Sequence, residues 1–303
     1  MPTIVAAPPV RVPVFGGFDY VTIDEARHRA FAAHTRSNRL LVVDTGSGAV
    51  AGQVEVGPMH GVAVDPQTGN VFTGNGTVDS LSSVDVTTMK VIASVSVPGH
   101  VDAIAYDPGR RHIYADQAGG GNVYVVDAAT MKVVATMAMP ATVLESPAVD
   151  PKTGTFYQNL ANGGGFAIVD PQTLRVTSVV KTPELENNHA LVFAAGANQV
   201  AVSGVNGVLS AYTRDGALAG SVAVQPHIDQ CNTGSKGLLV ACAGRGIVTV
   251  VAMNAGAAPT LVGRIDTGHP GIHTVAIDES TNDVWVVWSD ATGDWVQRLR
   301  LAL

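Results

Sequence analysis

Charge is scarce in this chain, where only 14% of the 303 residues are Asp, Glu, Lys or Arg. Basic residues are the minority, 18 against 25 acidic ones, for a formal net charge of −7. A surface that follows a nucleic-acid backbone needs a basic excess, so this balance argues against nucleic-acid binding. Amphipathic stretches rich in lysine, glutamate and leucine are missing, which removes helical bundles and coiled coils. Apolar runs are short: Val133–Leu144 is among the longest and contains a proline, against the roughly 20 residues that a membrane-spanning helix needs. The opening segment, Met1–Pro9, has neither a basic n-region nor a continuous apolar core. No export signal is therefore expected in the chain as given, which fits a cytoplasmic protein, or a periplasmic or secreted one whose signal has been removed. The two cysteines, Cys231 and Cys242, make neither a disulfide framework nor a C-x-x-C motif, and their pairing is left open. Also absent are the G-x-S-x-G elbow, the phosphate-binding loop, H-E-x-x-H and the dinucleotide fingerprint. Gly119–Gly121 and Gly163–Gly165 read as hairpin loops, so no nucleotide cofactor is expected.

What the chain does have is a repeat of roughly 42 residues. Its clearest copies are His60-Gly-Val-Ala-Val-Asp65-Pro-Gln-Thr-Gly69, Asp102-Ala-Ile-Ala-Tyr-Asp107-Pro-Gly and Glu145-Ser-Pro-Ala-Val-Asp150-Pro-Lys-Thr-Gly154. Asp19–Phe31 and His273–Trp285 fit the same frame, and degenerate copies start at His189 and His227. Each unit reads as four short strands. A β-branched run ends in an Asp-Pro-x-x-Gly turn, where proline fixes φ and glycine accepts a positive φ. A second apolar strand and a glycine-rich loop follow, then an alternating strand ending in Val-Asp, then a Thr-Met-Lys-Val step into an outer strand. Four strands in 40 to 45 residues is the spacing of a propeller blade.

The expected fold is an all-β, single seven-bladed β-propeller of four-stranded antiparallel blades. It occupies residues 1–303 as one domain, with blades starting near 19, 60, 102, 145, 189, 227 and 273. After His273 only three strands remain, while Val10–Phe15 has no partner of its own. Residues 1–18 are therefore expected to carry the strand that closes the last blade and removes a free edge. Val123-Tyr-Val-Val-Asp127, the Asp-Pro-x-x-Gly turns and the Met-Lys-Val steps resemble the YVTN-repeat seven-bladed propeller family. That resemblance implies the fold along nearly the whole chain. For function it implies little, because the family mixes binding proteins with relatives of metal-containing propeller enzymes.

Function has to come from a site, and the repeat offers one. The residue five positions before the turn aspartate, or its equivalent, is Asp19, His60, Asp102, Glu145, His189, His227 and His273 in the seven copies. All are metal-ligand types. The first strand of a propeller blade is innermost, so these positions are expected to ring one mouth of the channel. His189, His227 and His273, with His60 and Asp19, form the expected ligand set for one transition-metal ion: zinc, copper, iron, manganese or nickel. Asp102 and Glu145 are placed on the opposite arc as proton-transfer groups, with Glu145 preferred because a preceding apolar segment, Met137–Leu144, would raise its pKa. His100, Asp229, His34 and Cys242 are expected nearby as supporting residues. The resulting expectation is a monomeric metal-dependent hydrolase or lyase for a small organic substrate. The alternatives are a non-catalytic binding propeller and a copper or iron redox or metal-storage propeller.

Overall fold

A computed structural model describes residues 3–302; Met1, Pro2 and Leu303, at the ends of the expected closing elements, lie outside the described residues. The strands form seven sheets, six of four strands and one of five, arranged as a seven-bladed β-propeller. The innermost strands are Val21–Asp24, Met59–Val64, Val101–Asp107, Leu144–Val149, Asn188–Ala194, Gln230–Thr233 and Thr274–Asp278. Each touches the inner strands on either side, and Thr274–Asp278 returns to Val21–Asp24, so the ring is closed.

The apolar core does not sit on the axis. It is divided into seven clusters, each packed between two adjacent blades. Blade 3 against blade 4, for example, buries Tyr114, Val125, Met137, Leu144, Phe156 and Val169. The second and third strands of a blade are buried on both faces and read as continuous apolar runs, such as Leu40–Val43 and Val123–Val126. Outer strands such as Lys90–Ser96 are largely exposed, which is why their pattern alternates.

Closure uses more of the N-terminal segment than the sequence suggests. The last blade consists of Thr274–Asp278, Asp283–Asp290 and the long strand Gly293–Ala302. Two short strands, Thr3–Ala6 and Val10–Val12, pair antiparallel with Gly293–Ala302 in succession, Thr3 opposite Ala302 and Val12 opposite Asp294. Pro8 and Pro9 interrupt the ladder because proline has no N–H to donate. The break is stitched by the Gln297 side chain, which donates to the Ala7 carbonyl at 2.8 Å. Val12 joins the core between blades 7 and 1.

The inner-strand aspartates anchor the opposite face. Asp24, Asp65, Asp107, Asp150 and Asp278 are all buried. Each accepts hydrogen bonds from its own turn: Asp65 from the Gln67 N–H and the Thr68 hydroxyl, Asp150 from the Lys152 N–H and the Thr153 hydroxyl. Arginines close several of these networks, Arg27 on Asp24 at 2.8 Å and Arg214 on Asp150 at 2.7 Å. The turns are thus fixed by side-chain acceptors as well as by proline and glycine.

Candidate active site at the channel mouth

The equivalent first-strand positions converge as a ring of titratable side chains. Asp19, Asp102, Glu145, His189, Asp229 and His273 line a cavity of about 250 Å³ at the mouth of the channel. His60 joins them through Asp19, its Nδ1 lying 2.5 Å from Asp19 Oδ2 and 3.8 Å from Asp102 Oδ1. A one-residue irregularity in strand pairing recurs just after the ring position in the blades of His60, Asp102, Glu145 and His189. Such bulges re-aim a side chain out of the ladder, here toward the axis.

Blade 6 departs from the expected register by two residues. Its inner strand begins at Gln230, and Asp229 rather than His227 occupies the ring. His227 is exposed, sits in the left-handed region at φ 56°, and gives its backbone N–H to the Val205 carbonyl. This blade has Asn232 in place of the turn aspartate from which the count runs, so nothing in its sequence marks where the inner strand ends. The mouth therefore holds three histidines and four carboxylates, not four and three. Gln230 locks the shifted strand in place, its Oε1 accepting from the Val275 N–H and the Thr274 hydroxyl and its Nε2 donating to the Val21 carbonyl.

The ring divides into two arcs. In the first, donor atoms of Asp19, His60 and Asp102 lie within 4.8 Å of one another, close enough to share one cation. Asp102, expected opposite the metal, is part of this donor group. Burial raises its pKa, Asp19 adds to the rise, and the neighbouring histidines oppose it. The hydrogen bond to Asp19 raises that of His60. His100 lies outside the cluster with its ring centroid 5.2 Å from that of His60. Gly76 makes the room for this pair: a Cβ there would lie 2.5 Å from His100 Nε2 and 2.8 Å from His60 Cδ2.

The second arc is an acid–base chain. His189 Nε2 is 2.6 Å from Asp229 Oδ1, while its Nδ1 faces Glu145 Oε1 at 3.7 Å. Burial is the main reason that the Glu145 carboxyl is pushed up to about 7, with His189 opposing and Asp102 adding to the rise. The hydrogen bond to Asp229 raises His189 in turn, and bonding to His189 leaves Asp229 below its ordinary value despite burial. His273 stands between the arcs with both ring nitrogens against carbonyls, Nδ1 at 2.8 Å from Gly271 and Nε2 at 3.2 Å from Phe18.

Tyr20, Ser146 and Asp116 were not singled out by the sequence. The Tyr20 hydroxyl meets Ser146 Oγ at 3.3 Å, a contact from blade 1 to blade 4 across the channel. Ser146 sits at φ 30°, unusual for a residue other than glycine, immediately after Glu145. Tyr20 and Gln230 line both the mouth cavity and the cavity of about 250 Å³ beneath it, which is walled by Val62, Ile104, Pro147 and Leu191. Asp116 lies behind Asp102 and Glu145, fully buried, accepting the Ala103 N–H at 2.8 Å. Burial holds its carboxyl well above the usual carboxylate range. Its signal was a charged residue inside an otherwise apolar second strand. Asn159 donates to the His189 carbonyl at 2.8 Å and steadies that blade's ring residue.

Two expected neighbours are elsewhere. His34 is fully buried beside Asp294 at the seam of blades 1 and 7, stacked on Phe18 with ring centroids 4.5 Å apart. Cys242 is disulfide-bonded to Cys231, its partner across the inner two strands of blade 6, and offers no thiolate to a metal.

No protein-family profile matches the chain, and no curated protein matches it. Solved structures do. A chain of Kuenenia stuttgartiensis hydrazine synthase aligns with a TM-score of 0.82 at 18% identity, over 97% of both chains. A chain of a mitotic checkpoint complex aligns with a TM-score of 0.83 at 11% identity, over 99% of this chain and 93% of that one. At such identities the likeness concerns the seven-bladed fold alone, which enzymes and binding proteins share.

Proposed function

We propose that the channel mouth binds one divalent transition-metal ion and that this chain is a metal-dependent hydrolase or lyase for a small organic substrate. The observation that carries this reading is the convergence of Asp19, His60 and Asp102 donor atoms within 4.8 Å, facing an acid–base chain across one small cavity. Two carboxylates and one imidazole favour zinc, manganese or iron over copper. Three protein ligands leave positions for water or substrate, as a catalytic ion requires. The repeats themselves we read as YVTN-type.

An ion held there supplies Lewis acidity to a substrate carbonyl or a bound water. Burial pushes the Glu145 carboxyl up to about 7 in the metal-free protein, which suits it to accepting a proton and returning it. In ester or lactone hydrolysis Glu145 takes the proton of the attacking water and delivers it to the departing alkoxide. In elimination it takes the proton next to a carboxyl group and returns that proton to the departing β-oxygen. Asp229 fixes the orientation of His189, whose other nitrogen faces Glu145 and stabilises its anionic form.

The test is elemental analysis of protein purified without a histidine tag, beside a His60→Ala/Asp102→Asn double variant. About one equivalent of metal, lost in the variant, followed by metal-dependent turnover of a panel of lactones and uronate esters, is the expected result. Wild-type protein that is metal-free and takes up none on addition overturns it and favours the non-catalytic binding propeller.

A further inference from the structure

A second cavity opens on the same face, between blades 1 and 7. It measures about 390 Å³ and shares Phe18, Asp19 and His273 with the mouth cavity, so the two are neighbours across a common wall. Its remaining lining is small: Gly16, Gly17 and Gly271 give up side-chain volume where the lead-in from the clasp enters blade 1. Arg36 stands at its edge. The turn that carries it is pinned to the lead-in by backbone bonds from the Thr35 N–H to the Gly17 carbonyl and from the Arg36 N–H to the Gly16 carbonyl.

Three observations assign a ligand charge to this cleft. Among the described residues Arg36 is one of seven arginines without an ion pair and is the one that lines this cleft, whereas Arg27, Arg29, Arg110, Arg214 and Arg300 each hold an aspartate. Arg36 is thus an available guanidinium of a kind that takes carboxylates in bidentate fashion. The hydroxyls of Thr35 and Ser289, both lining the cleft, are buried and have no hydrogen-bond partner. Buried hydroxyls without partners are uncommon and fit a ligand acceptor that completes them. The nearby acids are engaged, Asp19 with His60 and Asp294 with His34 and the N–H groups of Gly16 and Gly17.

We infer that the cleft at Arg36, Thr35 and Ser289 is a carboxylate-binding subsite, so that the substrate is an organic acid anchored there while its reacting end lies at the metal and Glu145. The inference rests on the proposed function for the chemistry at the reacting end, and the anchoring is testable alone. An anionic substrate would meet four carboxylates at the mouth, and Arg36 together with a bound ion would supply the attraction that the ring does not.

The experiment is a titration of metal-stripped, isotope-labelled protein with glycerate and with glyceramide, which share a shape and differ in charge. The amide signals of Thr35, Arg36 and Gly271 report binding. Glycerate should bind at least tenfold more tightly than glyceramide. Arg36→Ala should reduce it to the level of the amide, Ser289→Ala should weaken it several-fold, and Arg175→Ala, the loss of an exposed arginine on an outer strand, should leave it unchanged. Equal affinity for the two probes, or an Arg36→Ala protein that still prefers glycerate, overturns the subsite. Loss in His60→Ala with retention in Arg36→Ala also overturns it, by putting the carboxylate on the ring. Metal uptake measured on the same samples separates the two readings: uptake without carboxylate preference removes the subsite alone, and preference without uptake removes the metal alone.

Discussion

The two faces of the ring carry the same residue type and use it differently. On one face Asp24, Asp65, Asp107, Asp150 and Asp278 are buried and engaged by backbone N–H groups, hydroxyls and arginines. On the other, Asp19, Asp102, Glu145 and Asp229 remain between about a sixth and a half exposed, with histidines as their neighbours. A carboxylate engaged by its own turn holds the chain; one whose lone pairs face a cavity is free for chemistry. The His34–Asp294 pair shows that burial and engagement by the backbone, rather than position, make the difference: both side chains are fully buried and Asp294 holds the N–H groups of Gly16 and Gly17, although the pair lies toward the mouth face.

Substitutions sharpen this contrast. The largest effect is expected for Asp294→Ala, which strands a buried His34 and the N–H groups of Gly16 and Gly17 where the clasp enters blade 1. Breaking a buried pair costs about 3–5 kcal/mol, and calorimetry should record a Tm lower by about 10 °C. Next come matched changes on the two faces. Asp150→Ala leaves Arg214 and a turn unpartnered and should cost about 2–3 kcal/mol with metal content unchanged. Asp102→Asn should leave Tm nearly where it is and weaken metal binding on the order of 100-fold, read by competition with a chelator. Similar Tm losses in both variants would erase the distinction.

A smaller effect is expected from pH in metal-free protein. The Glu145 carboxyl lies above its ordinary value in the fold, so ionising it disfavours the native state. His189 is also raised, and its contribution is fully present at low pH and lost as pH rises through its folded value. Both signs agree: stability should fall as pH rises from about 4.5 through 7. Glu145→Gln removes its share, so its Tm relative to wild type should improve between pH 5 and pH 8, by up to about 1–3 kcal/mol at ~1.4 kcal/mol per pKa unit. A parallel pH dependence of the two proteins would refute the assignment. The mildest change is Gly76→Ala, whose methyl group displaces His100 and tilts His60. Metal affinity should drop about tenfold while unfolding by denaturant stays within about 1 kcal/mol of wild type.

The blades were legible because Asp-Pro-x-x-Gly marks the end of the innermost strand, and counting back from that aspartate gives the residue at the mouth. Where the marker is lost the count is not secured: it holds in blade 5, which has Ala194, and fails in blade 6. Blade 6 has Asn232-Thr-Gly-Ser235 in place of the turn aspartate, and His227 was taken where Asp229 stands. The Cys231–Cys242 pairing depends on two strands lying side by side in that same blade, which spacing alone does not fix. His34 was misplaced for a different reason: its partner Asp294 is 260 residues away, and only ring closure brings them together. The cross-channel contact of Tyr20 with Ser146 was invisible for the same reason, since each lies in a strand that looks ordinary by itself.

That contact spans the channel. With the Tyr20 hydroxyl against Ser146, a side-chain bridge crosses from blade 1 to blade 4 between the mouth cavity and the cavity beneath it. On the function proposed above, a small molecule would enter and leave the ring by the mouth face, so that product release would share the path of substrate entry.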